Sequence, residues 1–361
     1  MQLPPACCLL LCVGCLLGKA GSQSQQLLPP PTAPLTAVTE AIVDAQIRTL
    51  NLEDVALLTE KAAHDDVQAQ CILGVAYADG LKLPHDDREG LRWLLRAADH
   101  GITWVQNRIG LMYRLGEGTT PDDKEAVKWF RTAAEQLEPH AATNLAYMYF
   151  NGYGASQDFK LAAKWFRVAA DQGYASAQNN LGALYQFGLG VHRDYAQAMH
   201  WYVAAAENGL PAAADNVGAL YASGLGVSKN YAEAVRWFLL SAAQGDPVGQ
   251  EQLAIMYDEG KGVPRDRRVA ADWYLKSAMQ GYASSQFRLG EMYAAGLGVP
   301  LDYAAAYFWF MLASSGGYAK AKGSAQDLSR IMTPSQRQAA ETRLASPRKP
   351  SSSARPAGFL H

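Results

Sequence analysis

Ala177–Ala212 reads AQNNLGALYQFGLGVHRDYAQAMHWYVAAAENGLPA, and the fold is decided by this stretch. Ala177, Leu181, Leu184, Tyr185 and Gly188 follow i, i+4, i+7, i+8, i+11, one face of an α-helix. Gly188-Leu189-Gly190 ends that helix, because glycine accepts a positive φ without a Cβ penalty. Asp194 then stands as an N-cap for a second helix. That helix turns Ala198, Trp201, Tyr202, Ala205 and Ala206 inward and stops at Asn208-Gly209. Outward from this unit the same pattern recurs every 36 residues. Trp93, Trp129, Trp165, Trp201, Trp237, Trp273 and Trp309 form one ladder. Tyr77, Tyr113, Tyr149, Tyr185, Tyr221, Tyr257 and Tyr293 form a second, and Gly80, Gly116, Gly152, Gly188, Gly224, Gly260 and Gly296 a third. A fixed period of this length means one supersecondary unit copied and stacked, a solenoid rather than a globule.

Packing logic supports the stacking. Ala198, Ala205, Ala206 and Gly182 let helix axes approach, and the Trp and Tyr rings fill the spaces between hairpins. Burying one Trp contributes about 4–6 kcal/mol gross, an upper bound. The array is expected to run over 69–320, with capping helices at 37–68 and 321–345. Asn51 to Ala63 reads as a lone second helix with Leu57 at the Trp position, and Ala319 to Met332 as a final first helix. Thr333-Pro334 then supplies an N-cap and N1 proline for a polar closing helix.

The formal net charge of −2 and pI near 6.4, with no basic stripe in the repeats, argue against a nucleic-acid partner. The longest apolar run, Ala6 to Leu17, is too short to cross a bilayer. Followed by Gly18-Lys19-Ala20-Gly21, it reads as a signal peptide over residues 1–20, although its n-region carries no Lys or Arg. Cys12-Val13-Gly14-Cys15 has Cys where a lipobox has Leu, so lipid anchoring at Cys15 is not expected. Four of the five cysteines fall in this leader, which leaves Cys71 alone as an inert thiol in the first helix. Residues 21–36 read as a Pro/Gln-rich linker and 346–361 as a disordered tail.

The pattern A-x-x-x-L-G-x-x-Y-x-x-G-x-G-V, then D-x-x-x-A-x-x-W-Y/F-x-x-A-A-x-x-G, resembles the Sel1-like repeat, a relative of the tetratricopeptide repeat with a longer inter-helix loop. Seven copies carry it. Departures are local: Lys82 replaces the second loop glycine of the first copy, and Leu137-Glu138 replace the terminal glycine region of the second, where a kink is expected. Gly249 and Ser285 stand where Ala is usual. The resemblance implies an all-α fold, a right-handed α/α superhelical solenoid of helix-turn-helix repeats whose first helices line a concave face. It also implies a non-enzymatic adaptor for a protein or peptide, with a membrane-associated partner among the options. For an exported chain the location would be the periplasm or medium in bacteria, or the secretory lumen in eukaryotes, where family members serve quality control. The alternative it carries is a secreted β-lactam-binding or weakly β-lactam-hydrolysing protein.

Structural residues repeat and binding residues need not, so candidate sites lie where the copies disagree. The second, sixth and ninth positions after the opening Ala of each first helix are expected to be exposed. They place Leu111, Tyr147 and Phe150, with Phe187 nearby, as an apolar patch for a partner. A further row, Arg108, Asn144, Asn180, Asn216, Gln252 and Arg288, offers amides to an extended peptide, or else serves the repeat itself. No catalytic, metal or cofactor constellation emerges. His64-Asp65-Asp66 and His85-Asp86-Asp87 sit where Asp caps helices, and the other histidines lack ligand spacing. The only Ser-x-x-Lys, Ser346 to Lys349, lies in the tail. No G-x-S-x-G, Walker-type loop or H-E-x-x-H occurs.

Overall fold

The computed structural model describes residues 38–345, so the leader, the linker, the tail and Ser346–Lys349 lie outside the described residues. Among the described residues there are eighteen α-helices and no strand. The chain opens with α1 (Glu40–Thr49), a 3₁₀ turn (Leu52–Asp54) and α2 (Val55–Ala63). Seven helix pairs follow, each a first and a second helix. They are α3 (Val67–Ala78) and α4 (Asp87–Ala98); α5 (Thr103–Leu115) and α6 (Asp123–Ala134); α7 (Pro139–Asn151) and α8 (Phe159–Ala170); α9 (Ala175–Phe187) and α10 (Tyr195–Glu207). Then come α11 (Pro211–Ser223) and α12 (Tyr231–Ala243); α13 (Pro247–Glu259) and α14 (Arg267–Met279); α15 (Ala283–Ala295) and α16 (Tyr303–Ser315). α17 (Ala321–Ile331) and α18 (Pro334–Ala345) close the described chain. The chain forms two compact units, one ending at Trp201 and the other beginning at Tyr202. Within each unit a first helix packs on its own second helix, and that second helix packs on the first helix of the next copy. This is an all-α repeat solenoid.

The turn chemistry recurs from copy to copy. The N–H of Asp158 donates to the carbonyl of Tyr149 (2.9 Å), and its carboxylate accepts from Lys160 N (2.8 Å) and Leu161 N (3.0 Å) to cap α8. Asp86, Asp122, Asp194 and Asp266 do the same at their 36-residue positions, Asn230 with its amide oxygen, and Asp302 caps through Ala305 N alone. The second loop glycine has a steric duty as well: a Cβ on Gly154 (φ 65°) would run into the carbonyl of Asp123 at the start of the preceding second helix. Lys82 keeps that left-handed backbone (φ 64°) in the first copy with its side chain exposed. Leu137 also keeps the local geometry of the glycine it replaces (φ 64°), with hydrogen bonds to Ala134 O and from Glu138 to Ala133 O like those around Gly173. The expected kink is therefore absent from the local backbone.

The core shows a ranking that spacing leaves open: from Trp93 to Trp273 the side chain after each ladder Trp is the more deeply buried, while Trp309 and Phe310 are equally so. Phe130 and Phe166 in the first unit, and Tyr202, Phe238 and Tyr274 in the second, are closed off from solvent. Phe130 and Phe238 each face a glycine of their own first helix: a Cβ on Gly110 would lie 2.6 Å from the Phe130 ring, and one on Gly218 2.6 Å from the Phe238 ring. The Trp rings sit further out, several of them under cations. Arg92 and Arg96 cover Trp93, Lys164 covers Trp165, Arg167 covers Trp201 and Lys276 covers Trp273.

At the ends, Ala62 of α2 is buried while Leu57, at the Trp position, is exposed. Thr333 and Gln336 form a reciprocal capping box on α18: Gln336 N donates to Thr333 Oγ1 (3.3 Å) and Thr333 N to Gln336 Oε1 (2.9 Å).

Phe238→Ala, emptying a site only 1% exposed, is expected to cost about 3–5 kcal/mol in chemical denaturation. Trp237→Ala, which strips a half-buried ring, should cost less; the reverse order would mean the Trp carries the core. Leu137→Gly should stabilise by about 0.5–1 kcal/mol, since it relieves the left-handed strain of a side chain 63% exposed. Thermal melts would read that gain.

Candidate interaction face

The three stripe positions on the first helices do not share one environment. The second position, expected to be exposed, is buried at Thr143, Asn179, Asp215, Glu251 and Phe287. There the side chain faces protein: the Thr143 hydroxyl donates to Pro139 O (2.8 Å), and Phe287 stacks on Tyr318 with centroids 4.6 Å apart. Phe150 at the ninth position is likewise no part of an exposed patch. It is 3% exposed and meets Phe159 edge-on at 5.2 Å, because the start of α8 folds over the end of α7. Tyr147 and Leu111, at the sixth position, are half-buried.

The amide row is turned inward. Asn144, Asn180 and Asn216 are buried, and Asn144 donates to Asn107 Oδ1 (2.9 Å), tying α7 to α5. That N–H is spent between copies and is not offered to an extended peptide. Arg108 of the same row pairs with Asp79.

A different group is brought together in the first unit. The guanidinium of Arg114 lies 5.3 Å from the Tyr147 ring centre and 5.5 Å from that of Tyr153, and the two rings are 6.1 Å apart. Arg114 pairs loosely with Asp123, 3.9 Å away. Tyr153 is 40% exposed at the apex of the loop after α7, between Gly152 and Gly154. Leu111 packs on the apolar cluster beneath, while Phe187 is half-buried at the end of α9 and stands outside this stack. The helical stripe includes Tyr147 and, at its ninth position, Arg114, but not Tyr153. The available signal was the loop position itself, held by Leu81, Glu117, Leu189, Leu225, Lys261 and Leu297 in the other copies.

A Sel1 repeat family model matches residues 67–102, 105–136, 139–174, 175–210, 211–246, 247–282 and 283–318. The chain belongs to the Sel1 repeat family. A Sel1 repeat protein of Oxalobacter formigenes is 35% identical over 80% of this chain and 85% of its own, with a TM-score of 0.69. A protective antigen of uropathogenic Escherichia coli strains, displaying an SLR fold, is 33% identical over 81% and 70%, with a TM-score of 0.59. No curated protein matches the sequence. Proteins built from Sel1 repeats generally act as protein-interaction scaffolds and are generally non-catalytic.

Against the Sel1 repeat pattern, the second unit holds a buried polar seam. Ser241 and Ser277 replace the first of the paired alanines, and Asp215 and Glu251 lie opposite them. Ser241 Oγ donates to Asp215 Oδ2 (2.9 Å), while Asp215 Oδ1 is buried without a donor. Gly249 stands where Ala is usual because a Cβ would press on Ser241 Oγ and lie 2.8 Å from Asp215 Oδ1. Burial, followed by the neighbouring Asp246 carboxylate, pushes the Asp215 carboxyl up to about 8; the Ser241 hydroxyl opposes this. Burial also raises Glu251, with Ser284 and Ser285 pulling back. In the first unit Cys71 is fully buried, and burial pushes its thiol up to about 12, which leaves it chemically quiet. Among the described residues no group of three or more His, Cys, Asp or Glu is placed to hold a metal, and no helix is long and apolar enough to cross a membrane.

The folded chain holds a proton on Asp215 that the unfolded chain releases above about pH 3.8, so this group lowers stability as pH rises from about 4 to 8. In Asp215→Asn the side chain is uncharged at every pH. The variant is expected to melt higher than the wild type at pH 8, with the gap closing toward pH 4; parallel melting profiles would show that Asp215 does not hold that proton.

Proposed function

We propose that this Sel1 repeat chain is a non-enzymatic scaffold that binds a protein partner through the first-helix face of its first unit. The observation that carries this reading is the Arg114–Tyr147–Tyr153 stack. A guanidinium held between two partly exposed aromatic faces is the residue set found at the energetic centres of protein interfaces. Rigid Tyr rings present contact area with little ordering cost, and Arg114 adds a charge loosely paired with Asp123 at 3.9 Å. Such a stack suits a partner segment bearing a carboxylate beside an apolar side chain. The chain is further read as exported, on the strength of the apolar leader Ala6–Leu17 and the likeness to a protective antigen.

The test is a photo-crosslinking residue in place of Leu115, beside the stack and 46% exposed, in cells producing the chain. One discrete adduct is expected, lost in the Tyr147→Ala/Tyr153→Ala background while helical content and melting are kept. An adduct indifferent to those two substitutions would remove the face assignment.

A further inference from the structure

The N-terminal helix α1 does not behave as a stacked cap. In a solenoid each unit touches only its neighbours, so a helix preceding the first copy is expected to meet α3 alone. Instead α1 packs on α3 and reaches the second copy. Trp104, in the first turn of α5, donates its indole N–H to Val38 O (2.9 Å), and Gln68 of α3 donates to Gln46 Oε1 (2.6 Å). Glu40 lies within electrostatic range of Arg108 on α5. These partners all belong to first helices.

The face beneath has changed to match. At the row held by Arg108, Asn144, Asn180 and Asn216 in later copies, the first copy carries Ile72; at the position of Leu111 and Tyr147 it carries Val75. Both are buried in one cluster with Cys71 and with Val43 and Ile47 of α1. The helix is nonetheless lightly held. Only Val43 and Ile47 of its ten side chains are buried, and Arg108 Nε remains without an acceptor although Glu40 is near. Elements with few buried contacts open first.

We propose that the first-helix face of the first two copies is a helix-docking site, kept covered in cis by α1 and opened to a partner helix that displaces it. The occupant it fits is an amphipathic helix of a partner protein carrying the α1 pattern. That pattern is a carboxylate in the first turn for Arg108, then aliphatic side chains three and seven residues later, as Glu40, Val43 and Ile47 stand here. A partner placing its carboxylate on the free Arg108 Nε gains a hydrogen bond that α1 leaves unmade, which is the differential affinity displacement requires. The proposal deepens the scaffold reading above by naming a partner class, at a place separate from the Tyr147–Tyr153 stack.

The probe is a fluorescent peptide of residues 38–50 added to the full chain, in wild type and in Val43→Asp/Ile47→Asp. Saturable binding to the variant is expected, at least about tenfold tighter than to wild type, where the site is already occupied. Trp104→Phe in the released chain should weaken it, while Tyr147→Ala should not, so failure here leaves the stack reading standing. Absence of binding to a variant that keeps its helical content and melting point overturns the proposal, as does equal binding to both chains. A wild-type dimer that dissolves in the variant would overturn it in favour of α1 exchanged with a second copy. Hydrogen exchange on the unmodified chain gives an independent reading: α1 amides should exchange at least about tenfold faster than those of α3, and equal protection would sink the idea.

Discussion

Copies of the repeat are held by a second-helix side chain pressed against a first-helix residue too small to push it away. Phe130 lies on Gly110, Phe238 on Gly218 and Phe310 on Gly290, with less than the width of a methyl group to spare. Where the glycine becomes Ala146 or Ala254, the facing Phe166 and Tyr274 remain buried. This insertion sets the distance between the two helices, and other features follow from it. The Trp one position earlier is carried to the edge of the copy, where Arg and Lys side chains shelter its face. The loop must then return at fixed reach, which the Asp cap and the tyrosine carbonyl secure by hydrogen bonding.

Because every copy solves the same packing problem, chemistry enters only where one departs from the rule. Ser241, Gly249 and Asp215 form such a departure: a hydroxyl in place of a methyl, a glycine that makes room for it, and a carboxyl that accepts its proton. The cost is a buried acid beside a second one, relieved by keeping a proton near neutral pH. Such a seam exchanges some stability for sensitivity to pH, whereas an all-alanine junction would have neither.

The first helices of the first unit carry both proposed contact surfaces. One stretch of their outer side is covered by α1, and another presents Arg114 between Tyr147 and Tyr153. The two surfaces use different means. Under α1 the side chains are aliphatic and nearly dry, as suits a helix laid on them; around Arg114 they are aromatic and charged, as suits a polar-edged contact. Both rest on helices whose opposite sides are fixed in the core, so their side chains are positioned before any partner arrives.

The repeat period, the helix pairs and caps such as Asp194 were legible in the sequence, because they depend on residues close together in the chain and recur in every copy. The inward-facing second helix was legible too, with Trp201 and Tyr202 both turned inward, although spacing does not rank the two and Tyr202 is the more deeply buried. The exposed surface was not legible to the same degree. Helical periodicity fixes the direction a side chain leaves its helix, but not what the neighbouring copy places there. So Phe150 disappears under Phe159, Asn144 spends its amide on Asn107, and Tyr153 joins Tyr147 from a loop that no helical stripe includes. The crossing of α1 onto α5 is of the same kind, since nothing periodic links Val38 to Trp104 across 66 residues. Local spacing by itself determined the repeat; only the tertiary structure decided which face is free, because exposure belongs to pairs of surfaces and not to single residues.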